Sequence, residues 1–154
     1  MSWWNFGRKK IDRADFVEAF LQKNQKEIPA IRSIAQLEFT VFDTETTGLS
    51  VKDDYILSFG AIKILNQAIK LETALELYPN SPNSGQKTAP IHGLIQRENQ
   101  LTIKEFAAQS LAYFGNSILV AQHISFDTEM VQKAGKLFGL EQLPNPMIDT
   151  MTLA

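Results

Sequence analysis

Phe39-Thr40-Val41-Phe42-Asp43-Thr44-Glu45-Thr46-Thr47-Gly48-Leu49 is a strand-like apolar run that ends in two carboxylates and a turn. β-Branched and aromatic residues from Phe39 to Phe42 favour an extended, half-buried strand, and its two-residue period places Asp43 and Glu45 on one face. Two carboxylates sharing a partly buried place repel, so either one keeps its proton or both find a cation. Mg2+ or Mn2+ suits such a pair, because these ions take oxygen ligands and keep positions open for water and substrate phosphates. A lone D-x-E also serves as turn and cap chemistry, since acidic residues commonly end strands. Here the context adds more. Thr46, Thr47 and Gly48 bring hydroxyls, backbone N–H groups and a residue tolerant of positive φ, which let a ligand come close to the main chain. Leu49 sets an apolar side chain beside the acids, a combination suited to a phosphodiester with a base stacked over it.

The chain of 154 residues has the length of one domain and can bury a core without disulfides. It contains no cysteine, which excludes a disulfide framework and a thiolate zinc site. No apolar run is long enough to span a bilayer, and Met1-Ser2-Trp3-Trp4-Asn5-Phe6 lacks the basic-then-apolar order of a secretion signal. The expectation is a soluble, cytoplasmic protein with no membrane partner. A net charge of -2 argues against a passive electrostatic nucleic-acid binder. It leaves room for a metal-dependent nuclease, whose carboxylates hold cations that in turn meet phosphates.

Residues 1–37 read as a helical extension to a domain spanning residues 38–154. Trp3, Trp4 and Phe6 open it, Arg8-Lys9-Lys10 forms a short basic run, and a helix from Asp12 carries Phe16, Val17, Phe20 and Leu21 on one face before Pro29. That apolar face must dock on the domain or on a partner. After the acidic turn, Tyr55 to Leu65 and Ala68 to Tyr78 read as strands joined by a tight turn at Asn66-Gln67. Pro79 to Pro90 is a rim loop too long for a plain connection. Thr102 to Phe114 reads as a helix whose cap, Thr102, is completed by Glu105 in a capping box. Ile118 to Ala121 is a short, wholly apolar strand suited to the middle of a sheet. Ser125 is expected to cap a second helix from Phe126 to Phe138, stopped by Gly139. Pro144 to Ala154, which carries Met147-Ile148-Asp149-Thr150, receives no element.

Asp127 falls in the first turn of that second helix, where the helix N-terminus favours a carboxylate. Leu119-Val120-Ala121-Gln122-His123-Ile124-Ser125-Phe126-Asp127, about eighty residues after the D-x-E turn, resembles the second motif of the DEDDh (DnaQ-like) 3′-to-5′ exonucleases, the family that includes the proofreading epsilon subunit of bacterial DNA polymerase III. Asp43-Thr44-Glu45-Thr46-Thr47-Gly48-Leu49 is similar to the family's first motif, and Ile91-His92-Gly93-Leu94 to its short His-Gly element. The resemblance covers the chain from about Glu38 onward.

It implies an α/β, ribonuclease H-like mixed sheet flanked by helices, with three antiparallel strands from Glu38 to Tyr78 and a parallel strand at Ile118 to Ala121. It also implies hydrolysis at the 3′ end of single-stranded or frayed DNA, or of RNA, by two divalent ions. Asp43 would bridge both ions, Glu45 would complete one and Asp127 would hold the other. Thr46, Thr47, Gly48 and Leu49 would bind the 3′-terminal nucleotide, and His92 would lie near its sugar or base. A DNA polymerase subunit is the implied protein partner.

Two departures stand out. Gln122-His123 occupies the place where the family often has His-Asn, and the third motif, a histidine base with a fourth aspartate, is absent because the chain's two histidines are His92 and His123. Asp149 resembles a family aspartate that does not ligate metal. The expectation is a fragment, truncated at its C-terminus and inactive alone. The alternative is an inactive module that binds a nucleic-acid 3′ end or a polymerase subunit. His123, expected in the loop before Ser125, should not share a helical face with Asp127.

Overall fold

A computed structural model of the chain describes residues 12–25, 28–29, 31–82 and 100–153. The apolar stretch and its acids together form β1 (Phe39–Thr46). β2 (Ile56–Leu65) pairs with β1 antiparallel, and β3 (Ala68–Leu77) pairs with β2 antiparallel. The hairpin turns at Asn66 and Gln67, both with positive φ (52° and 61°), as a two-residue connection between right-twisted strands requires. β4 (Ile118–Ala121) lies parallel to β1 on its other edge, and β5 (Met147–Asp149) parallel to β4. The sheet order is therefore β3-β2-β1-β4-β5. The mixed sheet agrees with the expected ribonuclease H-like architecture. The sequence expectation ended at β4; a three-residue strand is too short to show a periodicity, and β5 exists because β4 offers it an edge.

Alternation along β1 sorts its side chains. Thr40, Phe42 and Thr44 are buried, whereas Asp43 is exposed and Glu45 half-buried. The buried face meets the helices α1 (Asp15–Lys23), α2 (Ile103–Phe114) and α3 (Ile124–Lys136). Phe42 stands edge-on to Phe114 with ring centroids 4.9 Å apart, and Phe59 meets Phe114 at 5.7 Å and Phe106 at 6.0 Å. These rings anchor α2 to β1 and β2. The opposite face carries Phe39, Val41, Ile62 and Ile64, all half-buried, and the exposed Ile69 and Leu71.

The apolar face of α1 docks on the domain: Val17 and Phe20 are buried in the core, and Phe16 meets Phe138 at 5.5 Å. Asn24 ties the end of α1 to the end of α2 by donating from Nδ2 to the Gly115 carbonyl at 2.8 Å. The capping box forms at α2, where Thr102 Oγ1 accepts from the Glu105 N–H at 3.2 Å and Glu105 Oε2 accepts from the Thr102 N–H at 2.8 Å. The aromatic start at Trp3, the basic run, and the segment containing His92 lie outside the described residues, as does most of the rim loop.

Phe114 is fully buried and shared by two other rings, so Phe114→Ala removes packing from both strands and helix. We expect it to cost roughly 3–5 kcal/mol of folding stability, read as a lower urea midpoint.

Candidate active site

β1 outruns its neighbour. Its pairing with β4 covers Phe39 to Val41, and β4 ends at Ala121 while β1 continues to Thr46. Asp43 and Glu45 thus stand at the carboxyl end of the central strand, beside the point where the chain leaves β4 for α3. Across from Asp43 in β2 is Gly60, where an added Cβ would meet nothing within 4 Å. The space beside Asp43 is open.

α3 brings the third acid. Asp127, in its first turn, is 4% exposed. Its Oδ1 accepts from the Thr44 N–H at 3.1 Å and from the Thr44 hydroxyl at 2.5 Å. Burial pushes the Asp127 carboxyl above the ordinary aspartate range, the Thr44 hydroxyl pulls it back, and the charge of Asp43 raises it again. The fold therefore brings Asp43 and Asp127 within reach of one another's charge, with Glu45 on the same strand face as Asp43. Among the described residues, neither Asp43 nor Asp127 has a cationic side chain at ion-pair distance. No three His, Cys, Asp or Glu side chains among the described residues close into a metal cage. What fits a divalent cation is the donor chemistry: hard carboxylate oxygens, one of them on a buried side chain.

The start of α3 corrects the sequence reading. The N-cap is His123, in the left-handed conformation (φ 54°, ψ 44°), and Ser125 lies inside the helix, which runs Ile124–Lys136 instead of Phe126 to Phe138. The side chain of His123 is exposed and makes no cap bond, while its backbone N–H donates to Asp149 Oδ1 at 3.1 Å. The same oxygen accepts from the Met151 N–H at 3.0 Å. Asp149 is thus a backbone clasp between β5 and α3, a role its sequence context does not reveal.

The loop after β1 is tied down from within. The Thr46 hydroxyl donates to the Gly48 carbonyl at 2.7 Å and the Thr47 hydroxyl to Asp54 Oδ1 at 2.8 Å. Asp54 Oδ2 accepts from the Ser50 N–H at 2.8 Å, and the Thr47 N–H donates to the Tyr55 carbonyl at 2.9 Å. Gly48 is required by space and not by a positive φ: a Cβ there would stand 2.5 Å from Asp54 Oδ2. Lys133 of α3 braces the loop from outside, donating to the carbonyls of Asp54 (2.7 Å) and Lys52 (3.0 Å) and lying over the Tyr55 ring. Leu49 projects from this frame at 89% exposure. Asp54 and Lys133 escaped the sequence reading because nothing local distinguishes them from surface charges. His92 lies outside the described residues.

Carboxylates at the exposed end of a ribonuclease H-like sheet define a class of nuclease domain, and comparison agrees. A family model described as Exonuclease (RNase_T) matches residues 40–154. The DNA polymerase III PolC-type protein of Clostridium perfringens is 35% identical over 121 residues, covering 76% of this chain and 8% of its own length. That of Thermotoga petrophila is 33% identical over 147 residues, covering 90% and 10%. The chain thus spans no more than 10% of the length of these curated relatives. Product-bound exonuclease I shares the fold, with a TM-score of 0.65 at 19% identity over 77% of this chain and 31% of its own. So does E. coli exonuclease I in complex with a dT13 oligonucleotide, with a TM-score of 0.64 at 19% identity over 77% of this chain and 29% of its own. The chain belongs to the DnaQ-like DEDD exonuclease family.

Hydrogen bonds from Ser50 and then Thr47 hold the Asp54 carboxyl below the ordinary aspartate range. A depressed folded pKa contributes stability that is present above the unfolded value of about 3.9 and lost as pH falls through the folded value. Urea midpoints followed from pH 6 to pH 3 should fall less steeply for Asp54→Asn than for the wild type. At His123 we expect His123→Ala to leave Mn2+ affinity unchanged by calorimetry. A tenfold loss, about 1.4 kcal/mol, is the result that contradicts this.

Proposed function

We propose that this chain is a metal-dependent 3′-to-5′ exonuclease domain acting on single-stranded or frayed DNA. The observation that carries the reading is the approach of buried Asp127 to Asp43 at the end of β1, with no cation of the described protein to balance them. Asp43, Glu45 and Asp127 would hold two Mg2+ or Mn2+ ions, with Asp43 shared between them. The chemistry that such a bound pair supplies is activation of the attacking water and stabilisation of the leaving 3′-oxygen.

The chain's own residues bind and orient the substrate. The braced loop from Thr46 to Leu49 presents its backbone to the terminal nucleotide, and Leu49 wedges against its base. The relatives' names support a DNA polymerase III setting, and the exonuclease I complex with dT13 supports a single-stranded DNA substrate. Residues 38–154 would carry this activity, with residues 1–37 as a helical extension docked through α1.

The third-motif histidine and aspartate are not among these 154 residues. We therefore propose that residues 1–154 alone hold metal and a 3′ end but are inactive, since the general-base assistance they lack is worth about a hundred- to ten-thousand-fold. The alternative reading is a binding module that holds a nucleic-acid 3′ end or a polymerase subunit without cutting. Among the described residues no helix is long and apolar enough to cross a membrane.

The test is release of mononucleotides from a 3′-labelled single strand in Mg2+ or Mn2+, with binding of the same strand followed by fluorescence anisotropy. Metal-dependent binding with release near background is the expected result for residues 1–154, and release that Asp43→Ala abolishes is expected for a chain that also carries the third motif. Cleavage that persists in Asp43→Ala overturns the assignment, and metal-dependent binding with no release by a chain that carries the third motif selects the binding module.

A further inference from the structure

Thr44 sits between the two strand acids yet belongs to the other face of β1. It is 9% exposed and lies on the stretch of β1 that extends past the end of its pairing with β4. Both of its hydrogen-bond donors reach across to α3 and fall on one atom, Asp127 Oδ1, at 3.1 Å from the N–H and 2.5 Å from the hydroxyl. The neighbouring hydroxyl on the helix does not share this task, because Thr128 Oγ1 bonds back to the Ile124 carbonyl at 2.7 Å. A buried carboxylate needs such donors, having given up water. An aspartate held by one oxygen also has fewer rotamers to lose when the other oxygen takes a ligand.

We propose that Thr44 is the positioning residue of this site: its hydroxyl fixes Asp127 by Oδ1 and leaves Oδ2 for the cation shared with Asp43. This rests on reading Asp127 as a metal ligand. Alternation then has a second use, since the residue between Asp43 and Glu45 is directed toward the helix and links the third acid to the strand that carries the other two. Groups that orient a ligand in this way typically affect metal affinity by ten- to a hundredfold.

The experiment is Mn2+ titration by calorimetry of the 154-residue chain, comparing wild type with Thr44→Val, Thr44→Ser and Asp127→Asn, each checked for folding by circular dichroism. Thr44→Val keeps shape and β-branching but loses the hydroxyl, and should bind Mn2+ at least about tenfold more weakly. Thr44→Ser restores the hydroxyl and should stay within about twofold of wild type. Thr44→Ala supplies the same contrast if the valine variant does not fold. Wild-type Mn2+ affinity in Thr44→Val or Thr44→Ala overturns the proposal, and so does a serine variant as weak as they are. If Asp127→Asn itself binds Mn2+ like wild type, the ligand reading of Asp127 fails, an outcome separate from failure of Thr44 alone.

Discussion

Every feature of the site depends on which way β1 faces. Antiparallel pairing with β2 and parallel pairing with β4 hold the strand on both edges, and the packing of Phe42 against Phe59 and Phe114 holds its register. A slip of one residue would turn every side chain over, sending Phe42 to the outer face and Asp43 into the aromatic core. The aromatic cluster is thus the reason the acids are presented outward, although its rings lie on the opposite face of β1.

Against that stable frame the site itself is electrostatically unfavourable. Asp127 is desolvated beside Asp43, and two well-anchored lysines among the described residues, Lys63 and Lys133, are engaged elsewhere. Lys63 is committed to Glu38 at 2.6 Å and lies over the Tyr113 ring, among buried polar groups that include Ser117 and Thr40. Lys133 is committed to the carbonyls of Lys52 and Asp54. Among the described residues neither carboxylate has a cationic side chain at ion-pair distance, and an external cation would stabilise two like charges so gathered. The two Thr44 hydrogen bonds offset part of that local cost, and the packed core offsets the rest.

Local signals in the sequence carry through where they are short-range. The tight turn at Asn66-Gln67 and the capping box of Thr102 and Glu105 each depend on residues within four positions, so the chain forms them where the pattern places them. The start of α3 fails by the same logic. Ser125 has the right chemistry for a cap, but the chain turns off β4 two residues earlier, and the carboxylate of Asp149 holds the His123 N–H there, so His123 takes the cap position. Gly48 likewise has a different reason for being glycine than the tolerance of positive φ its sequence context suggests, because Asp54 is brought against it by a loop closure.

The sequence by itself determined that Asp43 and Glu45 share a face, because strand alternation is a property of adjacent residues. It also determined that Asp127 opens a helix after a buried strand. Only the tertiary structure decided that Thr44 and Asp127, 83 positions apart, meet across the open edge of β1. No local pattern encodes such a contact; it arises because β4 stops short of β1 and α3 starts in the space it leaves.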